Sequence, residues 1–137
     1  ADAWYNPATS GQGFLVTVFP DREEVFLAWF TFDTERPPED VTANLGEPGH
    51  RWLTAQGPYN DDTAELTLYL TAGGVFDAAD PAPSTDQDGY GTLTLQFADC
   101  KSGSASYEIP SLNLSGEIPL QRIVEDGVAL CEALAAP

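Results

Sequence analysis

Apolar and polar residues alternate with a period of two along most of this chain, the pattern of strands that bury one face and expose the other. Phe14, Val16 and Val18 share one face of a strand over residues 14–19. A second strand, 25–32, follows across Pro20-Asp21-Arg22-Glu23, whose composition predicts a hairpin turn and therefore an antiparallel pair. Residues 51–56 read as a strand carrying Trp52, and Gly57-Pro58-Tyr59-Asn60-Asp61-Asp62 as the turn into 64–70. There Leu66, Leu68 and Leu70 alternate with Glu65, Thr67 and Tyr69, which predicts one wet face.

Further on, Leu93, Leu95 and Phe97 oppose Thr92, Thr94 and Gln96, and Ala105, Tyr107 and Ile109 mark a shorter strand. Leu114, Gly116, Ile118 and Leu120 mark another, with Ser115-Gly116 predicting a bend or bulge. Pro119 places that strand at an edge or at a non-bonding position, because proline has no N–H for a ladder. Two polar, Pro-rich segments, 33–49 and 77–89, lack any apolar period and read as long exposed loops. Only the tail, 125–134, suits one or two helical turns, with Val128, Cys131 and Leu134 on one face.

The expected fold is therefore all-β. About eight antiparallel strands follow one another as a meander, closed into a barrel or stacked as a sandwich, with a short C-terminal helical turn. Hydrophobic residues make up 42% of the 137, enough apolar surface to offset the entropy of ordering one domain over residues 1–137.

Charge narrows the partners. Twenty-two acidic residues stand against five Lys plus Arg, a formal net charge of -17. Phosphate backbones and anionic bilayers are repelled by such a surface, so neither nucleic acid as a partner nor a polybasic membrane anchor is expected. Protein partners, self-association, a glycan or a cation such as calcium remain. Cys100 and Cys131 suit one disulfide, since two isolated thiols and the single His50 cannot complete a tetrahedral metal site. That bond requires an oxidising compartment. Ala1-Asp2-Ala3 has no basic leader region, and no run approaches ~18 apolar residues. A mature secreted or cell-surface chain, or a periplasmic one, is the expectation.

Several segments are too particular for generic strands. The opening Trp4-Tyr5-Asn6-Pro7-Ala8-Thr9-Ser10-Gly11-Gln12-Gly13-Phe14 combines an aromatic pair, an Asn-Pro turn and spaced glycines. Ala28-Trp29-Phe30-Thr31-Phe32-Asp33, Arg51-Trp52, Gly73-Gly74-Val75-Phe76-Asp77, Gly91-Thr92-Leu93-Thr94-Leu95, Asp99-Cys100 and Gly116-Glu117-Ile118-Pro119-Leu120-Gln121-Arg122 follow in order. Together they resemble a β domain of secreted bacterial proteins that opens with W-Y-[ND]-P-x-x-S-G-x-G-F and ends with G-x-I-P-L-x-R and a Cys. The resemblance runs the length of the chain and implies export, the disulfide and the β fold; it implies no reaction. The acidic stretch around Glu35 to Asp40 departs from it. Trp-Tyr-Asn also occurs in avidin-like barrels, but three residues do not carry ligand binding across.

No catalytic residues stand out. His50 lies in a Gly-Glu-Pro-Gly-His loop without a nucleophile motif, and abundant carboxylates make a chance acid pair uninformative. Asp80, Asp86 and Asp88, the last followed by Gly89, form the best oxygen-ligand cluster for calcium, although the full loop and its distal Glu are missing. Trp4, Tyr5, Trp29, Trp52, Tyr59 and Tyr90 are the ligand-binding candidates, since amphipathic rings suit a barrel mouth or a platform for sugar rings. Core packing is the competing use of each. Gly11-Gln12-Gly13 reads as a backbone bend, there being no following helix to cradle phosphate.

Three functions follow. The first is a non-enzymatic structural, adhesive or self-assembling extracellular domain; the second, a barrel binding a glycan or small apolar molecule. A carboxylate-based hydrolase is the third.

Overall fold

The computed structural model describes residues 2–135; Ala1, Ala136 and Pro137 lie outside the described residues. Eight strands form a closed antiparallel barrel: β1 (Asp2–Tyr5), β2 (Gly13–Phe19), β3 (Glu24–Phe32), β4 (His50–Asn60), β5 (Thr63–Tyr69), β8 (Gly91–Phe97), β9 (Ser102–Ile109) and β10 (Leu114–Arg122). Two short strands, β6 (Thr71–Ala72) and β7 (Ser84–Thr85), make a separate ribbon within the β5–β8 connection, and helix α1 (Val128–Ala135) ends the described chain. Each barrel strand pairs with the next along the sequence, and β1 closes the circle on β10 through Trp4 opposite Arg122 and Tyr5 opposite Gln121. This closure decides for the barrel over the sandwich.

Strand alternation places the core. Leu27, Leu68, Leu93, Leu95, Ala55 and Ala105 are completely buried, with Phe14, Val16, Val25 and Leu66 around them. Burying one such Leu is worth ~1.5–3 kcal/mol, so this girdle of side chains is the main driving force for closing the sheet. Strand tilt carries cross-strand rows along the barrel axis, so the inward row Trp4–Phe14–Trp29–Leu53 climbs from one end of the barrel to the other.

The two ends differ. At one, the turns are short: Pro20–Arg22 forms a single 3-10 turn closed by Glu23 at φ 51°, and Asp61-Asp62 joins β4 to β5. This end is plugged by Trp4, which lies 5.0 Å from Phe97 and carries the Arg122 guanidinium 4.7 Å above its ring. Arg122 also pairs with Asp2 and donates to the Cys100 carbonyl at 2.6 Å. The Cys100–Cys131 disulfide ties α1 beside it, with Val128 buried. The other end receives the long connections 33–49 and 70–90, and it is open.

Several expectations need correction. Gly57 and Pro58 belong to β4, and the turn shrinks to Asp61-Asp62. Glycine is needed there because a Cβ on Gly57 would run into the Glu65 carbonyl of the neighbouring strand. The bulge at Ser115-Gly116 is absent: the β9–β10 register is unbroken from Leu114 opposite Ile109 to Gln121 opposite Ser102. Gly116 lies opposite Tyr107 instead, and a Cβ would come 2.5 Å from the tyrosine hydroxyl, so the glycine makes room for a ring. Pro119, by contrast, stands where expected, at a position without a ladder partner on one side: it lies on the part of β10 beyond the reach of the short β1. Leu70 falls just after β5, and Leu134 is exposed, so only Val128 and Cys131 hold the helix to the barrel.

Candidate functional site

Where the barrel is open, its interior widens into a cavity of about 730 Å³. The inward residues change character there. In the completely buried girdle they are aliphatic; at the opening, Trp29, Tyr107 and Tyr90 replace them, with Leu114 and Ile118 on the β10 side. Trp29 is the floor, buried against Phe14 at 5.2 Å in a near-parallel stack and 5.6 Å from Tyr107. The space over Gly116 is what allows Tyr107 to lie across the opening. Tyr90 is fixed at the start of β8, where its N–H donates to the Leu68 carbonyl at 2.7 Å.

Polar groups ring this floor. Thr31 continues the inward row of β3 and donates through its hydroxyl to the Gln12 side-chain oxygen at 2.7 Å. Gln12 comes from the β1–β2 connection, together with Asn6 and Thr9. That connection is shaped locally: Asn6 accepts from the Ala8 N–H at 3.0 Å and caps a 3-10 turn over Pro7–Thr9, and Gly11 bends the chain at φ +93°. Arg51, at the start of β4, faces Asp33 at 3.1 Å and donates to the Pro48 and His50 carbonyls at 2.7 and 2.6 Å. It thereby clamps both ends of the 33–49 loop, whose base is also closed by the Asp33 N–H on the Gly49 carbonyl at 2.9 Å.

The sequence-derived candidates are divided by the fold. Trp29, Trp52 and Tyr90 come to the mouth. Trp52 stands at its rim, opposite Phe30 in the β3–β4 register, and so belongs also to the outer surface. Trp4 is core at the plugged end, and Tyr59 packs half-buried against the core. Tyr5 borders a smaller depression of about 350 Å³ on the outer wall, with Leu15, Phe30 and Ile123. Tyr107, Arg51, Gln12 and Thr31 were not singled out from the sequence. Parity could have found two of them, since Tyr107 shares a face with Ala105 and Ile109, and Arg51 with Leu53.

Asp80, Asp86 and Asp88 are exposed, and among the described residues no group of three acidic, His or Cys side chains is arranged to hold a metal ion. The Asp86 carboxylate accepts from the Asp88 N–H at 2.9 Å, and its carbonyl from the Gly89 N–H at 3.1 Å, so this acidic run shapes a turn. His50 accepts from the Glu47 N–H at 3.3 Å and lies 5.5 Å from Phe32, again within its own loop. Two carboxylates line the mouth, Asp33 and Glu117. Asp33 is engaged by Arg51, while Glu117 stands on the outward row of β10 opposite Ser106.

Two carboxylates elsewhere have perturbed acidities. The Ala3 N–H and Arg122 hold Asp2 below the usual carboxylate range, against an opposing effect of burial. Asp99 is lowered by the Lys101 N–H and by the Ser102 hydroxyl and N–H. Both flank the plugged end, where they anchor the β8–β9 turn and the end of β10. No family model matches the chain, and neither a curated protein nor a solved structure matches it.

Proposed function

We propose that this chain is an exported binding module, whose open barrel end takes a neutral, ring-bearing ligand such as a short glycan. One observation carries the reading: a concave opening of about 730 Å³ with aromatic rings as its floor and wall, and amides, hydroxyls, the Arg51–Asp33 ion pair and Glu117 at its rim. That volume lies within the ~300–1,000 Å³ usual for small-ligand sites, and the division between apolar floor and few polar groups is their usual chemistry. Trp29, Tyr90 and Tyr107 offer faces for the C–H side of a sugar ring. Asn6, Gln12 and Thr31 offer both donors and acceptors for hydroxyls. A net charge of -17 disfavours anionic ligands. The disulfide and the resemblance of the opening segment support export.

Tryptophan fluorescence provides the test, because Trp29 and Trp52 are at the mouth while Trp4 is sealed at the far end. Titration with neutral oligosaccharides is expected to shift the emission saturably, and Tyr90→Ala to weaken binding about tenfold, the loss of one stacking partner at ~1–1.5 kcal/mol. A Thr31→Phe variant, filling the mouth, is expected to abolish the response. A panel that leaves wild-type emission unchanged at millimolar ligand would remove this reading. The structural or self-assembling role is the second reading, supported by the character of the outer wall.

A further inference from the structure

The strand register divides the outside of the barrel into two unlike halves. On β5, β8, β9 and β10 the outward rows are polar but for Pro119: Glu65, Thr94, Ser106 and Glu117 make one, and Thr67, Thr92, Glu108 and Ser115 the next. On β2, β3 and β4 the same outward positions hold Leu15, Phe19, Phe26, Phe30 and Trp52, each between 37% and 51% exposed. Ala28 and Thr54 lie among them, and the sole charged residue of this face, Glu24, is at its lower margin, neutralised by Arg22 at 3.1 Å. A chain with 22 acidic residues has thus kept carboxylates off one wall.

We infer that this wall pairs with the same wall of a second copy, forming a face-to-face homodimer. Three observations favour a second copy over other occupants. The strands that carry this wall are paired on both sides, and the stretch of β10 beyond β1 lies on the polar half, so association through the wall must use side chains on a sheet face rather than added strands. Two strongly acidic chains can approach closely only where neither presents carboxylates, and this wall is such a place, whereas a basic partner would be drawn to the opposite half. A twofold interface also needs a patch complementary to itself. Here the protruding Trp52 and the depression between Leu15, Phe30 and Ile123 lie on one surface, so each copy presents both a knob and a hollow. At ~150–250 Å² per aromatic side chain, the exposed parts come to on the order of 500 Å². With Thr17, Thr54 and Tyr69 around them this approaches the ~800 Å² per partner of a standard stable interface.

Sedimentation velocity across protein concentration and salt tests the pairing, independently of any ligand. Wild type is expected to shift from monomer to dimer with concentration, and more readily at 500 mM than at 20 mM salt (~4 and ~20 Å Debye lengths), as repulsion is screened. Phe30→Glu and Leu15→Glu, each introducing two opposed carboxylates, are expected to weaken the dimer at least tenfold with an unchanged circular dichroism spectrum. Thr94→Glu, on the polar half, is expected to leave it intact. Wild type that stays monomeric at several hundred micromolar in high salt would overturn the inference. A dimer that survives both Phe30→Glu and Leu15→Glu would do the same.

Discussion

Two residues show how a single side chain sets the open end. Gly116 exists for Tyr107: any Cβ there would come within 2.5 Å of the hydroxyl, so Gly116→Val should drive the ring further across the mouth. The expected cost is roughly 1–3 kcal/mol by urea denaturation, as for other overpacked sites, with ligand response reduced. Asp2 and Asp99 act at the plugged end, and the pKa of each lies below the ordinary value of 3.8. A lowered folded value means stabilisation that is full above pH ~4 and lost as pH falls through the folded values. Falling net charge opposes this by relieving repulsion, so the comparison is by difference. Asp2→Asn with Asp99→Asn should flatten the acid limb of stability relative to wild type in a pH series of denaturant melts. An unchanged acid limb would contradict the role assigned to these carboxylates.

Among the elements, the strands were the most legible in the sequence. Phe14, Val16 and Leu27, Leu66 and Leu68, and Leu93 and Leu95 all face inward as their alternation requires, because parity depends only on local pleat. Register was less legible. Gly57-Pro58 looks like a turn by composition, yet β4 continues through it, since glycine there serves contact with a neighbouring strand rather than chain reversal. The site was half legible for the same reason: Trp29 and Tyr90 could be named as amphipathic rings, but whether a ring faces mouth, core or outer wall depends on strand tilt and closure. Trp4 and Trp29 share one inward row and end in opposite environments. Two element-level outcomes follow. Leu95→Ala, in the completely buried girdle, should cost ~2–5 kcal/mol in thermal or denaturant unfolding. Replacing Cys100 and Cys131 by Ser should cost ~3–4 kcal/mol through the loop closed across 31 residues, and α1 should become protease-sensitive while the barrel's circular dichroism is retained. Loss of the β signal at room temperature in that variant would show instead that the barrel itself depends on the bond.

For the molecule as a whole, an asymmetric barrel carries an asymmetric charge. One end is stapled by the disulfide and Arg122, the other is open beneath two long loops, and the wall is apolar on one side and polar on the other. At a net charge of -17, repulsion opposes compaction, so thermal stability should rise with salt from ~10 mM to ~0.5 M as the screening length shortens. Among the described residues no helix is long and apolar enough to cross a membrane. The apolar wall and the mouth adjoin at Gln12, Phe32 and Trp52, while Trp29, Tyr90 and Tyr107 lie inside the barrel, away from the wall. Binding at the mouth can be read residue by residue in an amide-resolved NMR titration with neutral oligosaccharides. Saturable shifts confined to Gln12, Thr31, Arg51, Tyr90, Tyr107 and their neighbours are expected, with Trp4, Asp99 and Cys100 unmoved. Spectra that stay unchanged at millimolar ligand, or shifts centred on Leu15 and Phe26 of the outer wall, would contradict it.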